Sequence, residues 1–170
     1  MKTILIAATL LAQQPGFSSP PEKPCLTRAE AASMGRFFMP SVIDSMARKC
    51  AASLPATAFL AGPHRALSAR LREDHIRHWP SAKTAIEKVS GKELPTMLGD
   101  EFTRKMAEST VAEMAAKGIE AKDCAMVSEI LGVVAPLPAD NFGRLFALFA
   151  ELGSKKRDKS PFRMCPGATA

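Results

Sequence analysis

Asp74, His75 and His78 are the residues whose types and spacing come nearest to a chemical motif in this chain. On a helix, Asp74 and His78 stand one turn apart and His75 lies three residues before His78, so a carboxylate and two imidazoles project close together. That set is half of a tetrahedral zinc site, to be completed by a further ligand or a water, and would serve a small metal-dependent hydrolase. The same residues also have an ordinary use. His75 and His78 fall in the last turn of the predicted helix, where imidazoles interact favourably with terminal carbonyls. Asp74 can pair with Arg70 or Arg77, and no His-Glu-x-x-His pattern is present. His64 shares this face but lies about 16 Å up the axis, too far to join the set.

A second candidate is apolar. Met97, Phe102, Met106, Phe146 and Phe149 form a soft, aromatic-rich set suited to an adaptable pocket for a lipid or small apolar ligand. At helical spacing the same residue types also serve as plain core. Other chemistries lack their motifs: there is no Gly-x-Ser-x-Gly elbow and no glycine-rich phosphate loop. Glu101, Glu108 and Glu113, interleaved with Arg104, Lys105 and Lys117, read as a solvated helix face with local ion pairs.

The four cysteines, Cys25, Cys50, Cys124 and Cys165, follow an apolar leader in which Lys2 precedes an uninterrupted run from Ile4 to Ala12. Residues 1–18 therefore read as a secretory signal peptide, cleaved after Ala12 or Ser18, because the run is too short to span a bilayer. Export to a periplasmic or secreted location makes two disulfides the expected state of the four thiols. A chain reversal at Pro40 brings Cys25 to Cys50, and Cys165 can fold the tail back onto Cys124, so of the three possible pairings Cys25–Cys50 with Cys124–Cys165 is the one expected. If Pro40 only kinks one long helix, Cys25 and Cys50 stand about 37 Å apart and cannot bond.

Charge narrows the partner. The formal net charge is +6, but Lys155, Lys156, Arg157, Lys159 and Arg163 against Asp158 place four of those charges after Ser154. A nearly neutral body with a basic tail, residues 154–170, does not fit a groove that tracks phosphates, so nucleic acid is not an expected partner.

The elements that must position these residues are helices. Thr27 with Glu30 reads as a capping box opening a first helix that ends near Met39, and Pro40 suits the first position of a second helix passing Cys50. Further helices are expected from Pro63 to about His78, through Ala82 to Val89 with a stop at Gly91, and along Leu94, Leu98, Phe102, Met106, Thr110 and Met114 to Gly118. Two more follow, one capped by Asp123 and one carrying Phe142, Leu145, Phe146, Phe149 and Leu152. The expectation is a single all-α bundle of about six or seven short helices over residues 24–153, stapled by disulfides, with a C-terminal tail pinned by Cys165.

The leader followed by Gln13-Gln14-Pro15, with Cys25-Leu26-Thr27-Arg28-Ala29-Glu30 opening the mature domain, resembles small exported bacterial helical proteins, a resemblance that implies no activity. Insect odorant-binding proteins are superficially similar, but their cysteine pair separated by three residues is missing. Plant invertase and pectin-methylesterase inhibitors are similar only distantly, since their N-terminal cysteine hairpin is missing. The function expected is that of a non-enzymatic binding or envelope-associated structural protein that does not span the membrane. Its partner would be an envelope protein, a lipid or a small apolar ligand, and no cofactor is expected unless zinc binds at Asp74, His75 and His78.

Overall fold

A computed structural model of the 170-residue chain describes residues 23–95, 97, 99–156 and 162–166. The expected leader, Leu98, Arg157, Asp158 and Lys159 lie outside the described residues.

The capping box at Thr27 forms as expected. Its hydroxyl accepts from the Glu30 amide at 3.1 Å, and the Glu30 carboxylate accepts from the Thr27 amide at 2.9 Å. The helix it opens, α1 (Arg28–Cys50), runs straight through Pro40. An internal proline removes one backbone hydrogen bond and costs about 3 kcal/mol. That cost is offset by burial along the whole helix, since Phe37, Phe38, Pro40, Ile43 and Cys50 are all within the core. α1 is consequently the central strut of an all-α bundle.

Five further helices follow among the described residues: α2 (His64–Arg72), α3 (Trp79–Ser90), α4 (Asp100–Lys117), α5 (Cys124–Val134) and α6 (Ala139–Lys156). Helices α2, α3, α4 and α6 pack directly on α1. None of the described helices is long and apolar enough to cross a membrane.

Two core clusters sit along α1. Near its middle, Phe37 and Phe38 pack with Trp79, Ala82 and Ala107, and the Trp79 indole donates to the Asp100 carboxylate at 2.9 Å. Towards its end, Ile43, Ala47 and Cys50 pack with Leu60, Leu67, Leu71 and Phe142. The α1–α6 crossing is tight. A Cβ on Gly35 would stand 2.5 Å from the Phe146 Cβ, and one on Gly143 would stand 2.8 Å from the Ala32 carbonyl.

The disulfides are Cys25–Cys165 and Cys50–Cys124. This corrects the pairing expected from a hairpin at Pro40. With α1 unbroken, its ends are about 33 Å apart, so Cys25 and Cys50 cannot meet. The tail is pinned by Cys165, but to the start of the domain. There β1 (Cys25–Leu26) pairs in parallel with β2 (Arg163–Met164), and Cys165 donates its amide to the Leu26 carbonyl at 2.9 Å. Cys50–Cys124 is wholly buried and ties the end of α1 to the start of α5.

Two helices depart from the expected pattern. The helix expected to run from Pro63 to His78 ends at Arg72, and a separate short turn covers His75–His78 before α3. In α4 the four-residue row Phe102, Met106 and Met114 faces outward, while Thr103, Ala107, Ala112 and Ala116 are buried. Small side chains on that face allow α4 to approach α1 closely. The Thr103 hydroxyl also donates back to the Gly99 carbonyl at 3.1 Å, which satisfies it within the core.

Candidate functional site

The expected zinc half-site is not assembled. The helix ends before Asp74, and the three side chains divide: Asp74 and His78 both turn to Arg36 and Arg77, while His75 turns away from them. Asp74 accepts from Arg36, whose side chain is only 4% exposed, and pairs with Arg77 at 2.6 Å. His78 Nε2 accepts from Arg36 Nε at 3.4 Å and from Arg77 Nε at 3.3 Å, which assigns its proton to Nδ1. Burial, followed by the charges of Arg36 and Arg77, holds the His78 imidazole below its ordinary pKa.

His75 turns the other way. Its ring stacks on Phe37 at 5.7 Å, its Nδ1 meets the Arg72 carbonyl at 2.8 Å, and its Nε2 meets Glu108 at 3.3 Å. Among the described residues, no group of three or more His, Cys, Asp or Glu side chains is placed to hold a metal ion. The Coulombic demand of the buried Arg36 explains the rearrangement: an unpaired charge at that depth is costly, so Asp74 turns towards it. Asp140 adds a second carboxylate at 3.5 Å.

The expected apolar pocket is not assembled either. Met97 is 97% exposed, Phe102 and Met106 lie on the outer face of α4, and Phe149 is exposed on α6. Phe146 alone turns inward, against Gly35 at the α1–α6 crossing. Phe102 and Met106 stand on α4, Phe146 and Phe149 on α6, and Met97 precedes α4, so the five side chains are spread over three segments of the chain.

A different site emerges where α1 ends. Leu54-Pro55 stops the chain after Cys50, and tight turns bring it round to α2: Ala58 donates to the Pro55 carbonyl at 2.9 Å and Ala61 to the Ala58 carbonyl at 3.0 Å. The Leu60 amide then donates to the buried Ser128 hydroxyl on α5 at 3.1 Å, fixing this connection to the bundle. Between the connection, α1 and α2 lies a cleft of about 670 Å³, a size usual for small-ligand sites. Ala47, Ala51, Ala56 and Ala61 line it with Leu54 and Leu60, and the cleft exists because short side chains stand where longer ones would fill it.

The polar side chains of the cleft are unequally satisfied. Asp44 accepts from Ser68 at 2.7 Å and from Arg72 at 2.5 Å. Burial raises its pKa, but these two hydrogen bonds and the neighbouring Arg72 charge outweigh burial and hold the carboxyl below its ordinary value. The Asp44 charge is thus matched by Arg72. Arg48 and Arg65, both exposed on the cleft wall, make no side-chain hydrogen bond or ion pair among the described residues. His64 is only 7% exposed, and its Nδ1 is shut from solvent with no hydrogen-bond partner. Two unpaired guanidinium groups and an under-satisfied imidazole therefore border an apolar floor.

Helical spacing puts His64 on the same face as Asp74 and His78, and no motif gives it a role. The available signal is the density of alanines over residues 47–61, with Arg48 among them and Arg65 just beyond, which follows no motif. The chain matches no protein-family model, no curated protein and no solved structure.

Proposed function

We propose that this chain is an exported, non-enzymatic binding protein that holds a small organic anion in the cleft between α1 and α2. The observation that carries this reading is the pair Arg48 and Arg65, without counter-ions among the described residues, beside an apolar floor of alanines and leucines. Guanidinium groups recognise carboxylate, sulfonate and phosphate oxygens through paired N–H donors, and an adjoining apolar surface adds burial of a carbon skeleton. The leader-like start and two disulfides support export, since such bonds persist in oxidising compartments. A cleft with one compensated carboxylate and an uncompensated double positive charge favours anions over cations.

The test is direct binding of anilinonaphthalene sulfonate, an aromatic anion whose fluorescence rises on transfer to an apolar site. Saturable binding is expected, with affinity reduced at least tenfold in the Arg48→Gln/Arg65→Gln double variant and an unchanged melting temperature. Equal affinity in the double variant would reject the cleft as the anion site.

A further inference from the structure

We propose that the anion bound in the α1–α2 cleft carries an alkyl chain, and that this chain crosses Leu54 into a second groove on the far side of the connection. The inference rests on the anion-binding reading above and adds the chemical class of the bound molecule. The second groove, about 280 Å³, lies between the connection and α5 and is bounded by Leu54, Pro55, Ala58, Phe59, Ala125 and Gly132. Leu54 is the shared wall, since it lines both the cationic cleft and this groove.

The groove has little polar chemistry left to offer. The Ser128 hydroxyl at its base is already engaged by the Leu60 amide. Gly132 keeps it open, because a Cβ there would come to 3.4 Å from the Phe59 Cβ, and a longer side chain would occupy the space.

Charge sets the orientation. Arg48 and Arg65 stand at the first cleft, whereas Glu129 stands at the edge of the second groove. An anionic headgroup is attracted to the former and repelled by the latter. An apolar tail has its matching surface in the latter, so the two sites divide one amphiphile between them rather than binding two similar ions. A straight-chain fatty acid has this chemistry: one carboxylate for the arginines and a flexible chain to pass over Leu54.

Isothermal titration of the full chain with butanoate, octanoate and dodecanoate, each below its micelle concentration, tests the proposal. Affinity is expected to rise by up to about fourfold for each methylene that enters the groove, until the groove is filled. Gly132→Leu is expected to remove that rise, bringing dodecanoate close to butanoate, with folding checked by circular dichroism. Ala125→Leu, which narrows the same groove from an exposed helix position, serves if the glycine variant does not fold.

An affinity independent of chain length, with anilinonaphthalene sulfonate still bound through Arg48 and Arg65, overturns the tail groove and leaves the anion cleft standing. A chain-length dependence unchanged in folded groove variants places the tail elsewhere and also overturns the proposal. Loss of the arginine dependence for both the sulfonate and the fatty acids rejects the anion cleft, and the tail proposal falls with it.

Discussion

The two polar clusters along α1 use the same residue types to opposite ends. Around Arg36, a guanidinium buried almost completely faces Asp74 and Asp140, and His78 stands beside it as a neutral acceptor. Around Arg48, one turn beyond Asp44, and Arg65 on α2, two guanidinium groups face an open cleft with no counter-ion among the described residues. The first cluster is set by depth: a charge within the core must be paired, and the segment just past the end of α2 supplies Asp74 to it. The second is left open because alanines supply the volume and solvent tolerates the unpaired cations. Motif spacing points to the first cluster, where Arg36 Nη1 is also buried without a partner among the described residues, whereas the open cationic volume lies at the second.

The largest expected effect separates the two ends of α1 physically. Replacing Cys50 and Cys124 by alanine releases a closed loop of 74 residues in sequence separation, and chain entropy alone predicts a loss of about 4 kcal/mol. The cleft end should loosen first. Hydrogen exchange is expected to speed up over residues 51–61 and α5 more than around Arg36, and uniform acceleration along α1 would contradict two independently supported clusters.

Next, Asp74→Ala leaves Arg36 buried beside only the more distant Asp140 and should cost about 3 kcal/mol. Arg48→Gln, at an exposed side chain with no pair, should change stability by less than about 0.5 kcal/mol. Urea denaturation of the two variants reads this contrast directly. Equal losses would mean that Arg48 has a structural partner after all.

A smaller effect concerns His64. Phenylalanine at this position removes the buried nitrogen that lacks a partner and should stabilise the fold by about 1 kcal/mol. The same His64→Phe variant is expected to bind anilinonaphthalene sulfonate several-fold more weakly. Destabilisation with undiminished binding would show that the imidazole serves packing alone.

The smallest effect is on pH dependence, and it arrives in two stages. His78 has a folded pKa below its ordinary 6.5, so the unfolded chain takes up its proton first, and stability begins to fall as pH drops through that value. Asp44 also has a depressed folded pKa. Its contribution is complete above the ordinary carboxyl value of 3.8 and is lost only as pH falls below it through the folded pKa. Melting temperature recorded from pH 8 to pH 3 should therefore decline first from the Arg36 end and later from the cleft end. His78→Gln should flatten the earlier decline and leave the later one.

Much of the local structure was legible in the residues. The Thr27–Glu30 capping box, the left-handed Gly91 ending α3 at φ 65° and the helical class all follow from short-range sterics and hydrogen bonding. The outward row of α4 shows where periodicity reaches its limit. Phe102 and Met106 recur at helical spacing, yet the buried face belongs to Thr103 and Ala107, because close approach to α1 favours small residues over large ones. The Asp74 set failed for a related reason. Its spacing assumes an unbroken helix, but α2 ends at Arg72 and Asp74 pairs with the buried Arg36, 38 residues away.

What the chain determined by itself is what neighbours in sequence can decide: the capping box that opens α1, the presence of thiols suited to bonding, and the excess of cations late in the chain. Tertiary structure alone decided whether Pro40 would turn or persist, and therefore which cysteines meet across separations of 140 and 74 residues. It also decided which arginines acquire counter-ions and which face open volume. Those outcomes depend on burial summed over many distant side chains, a quantity that no local spacing contains.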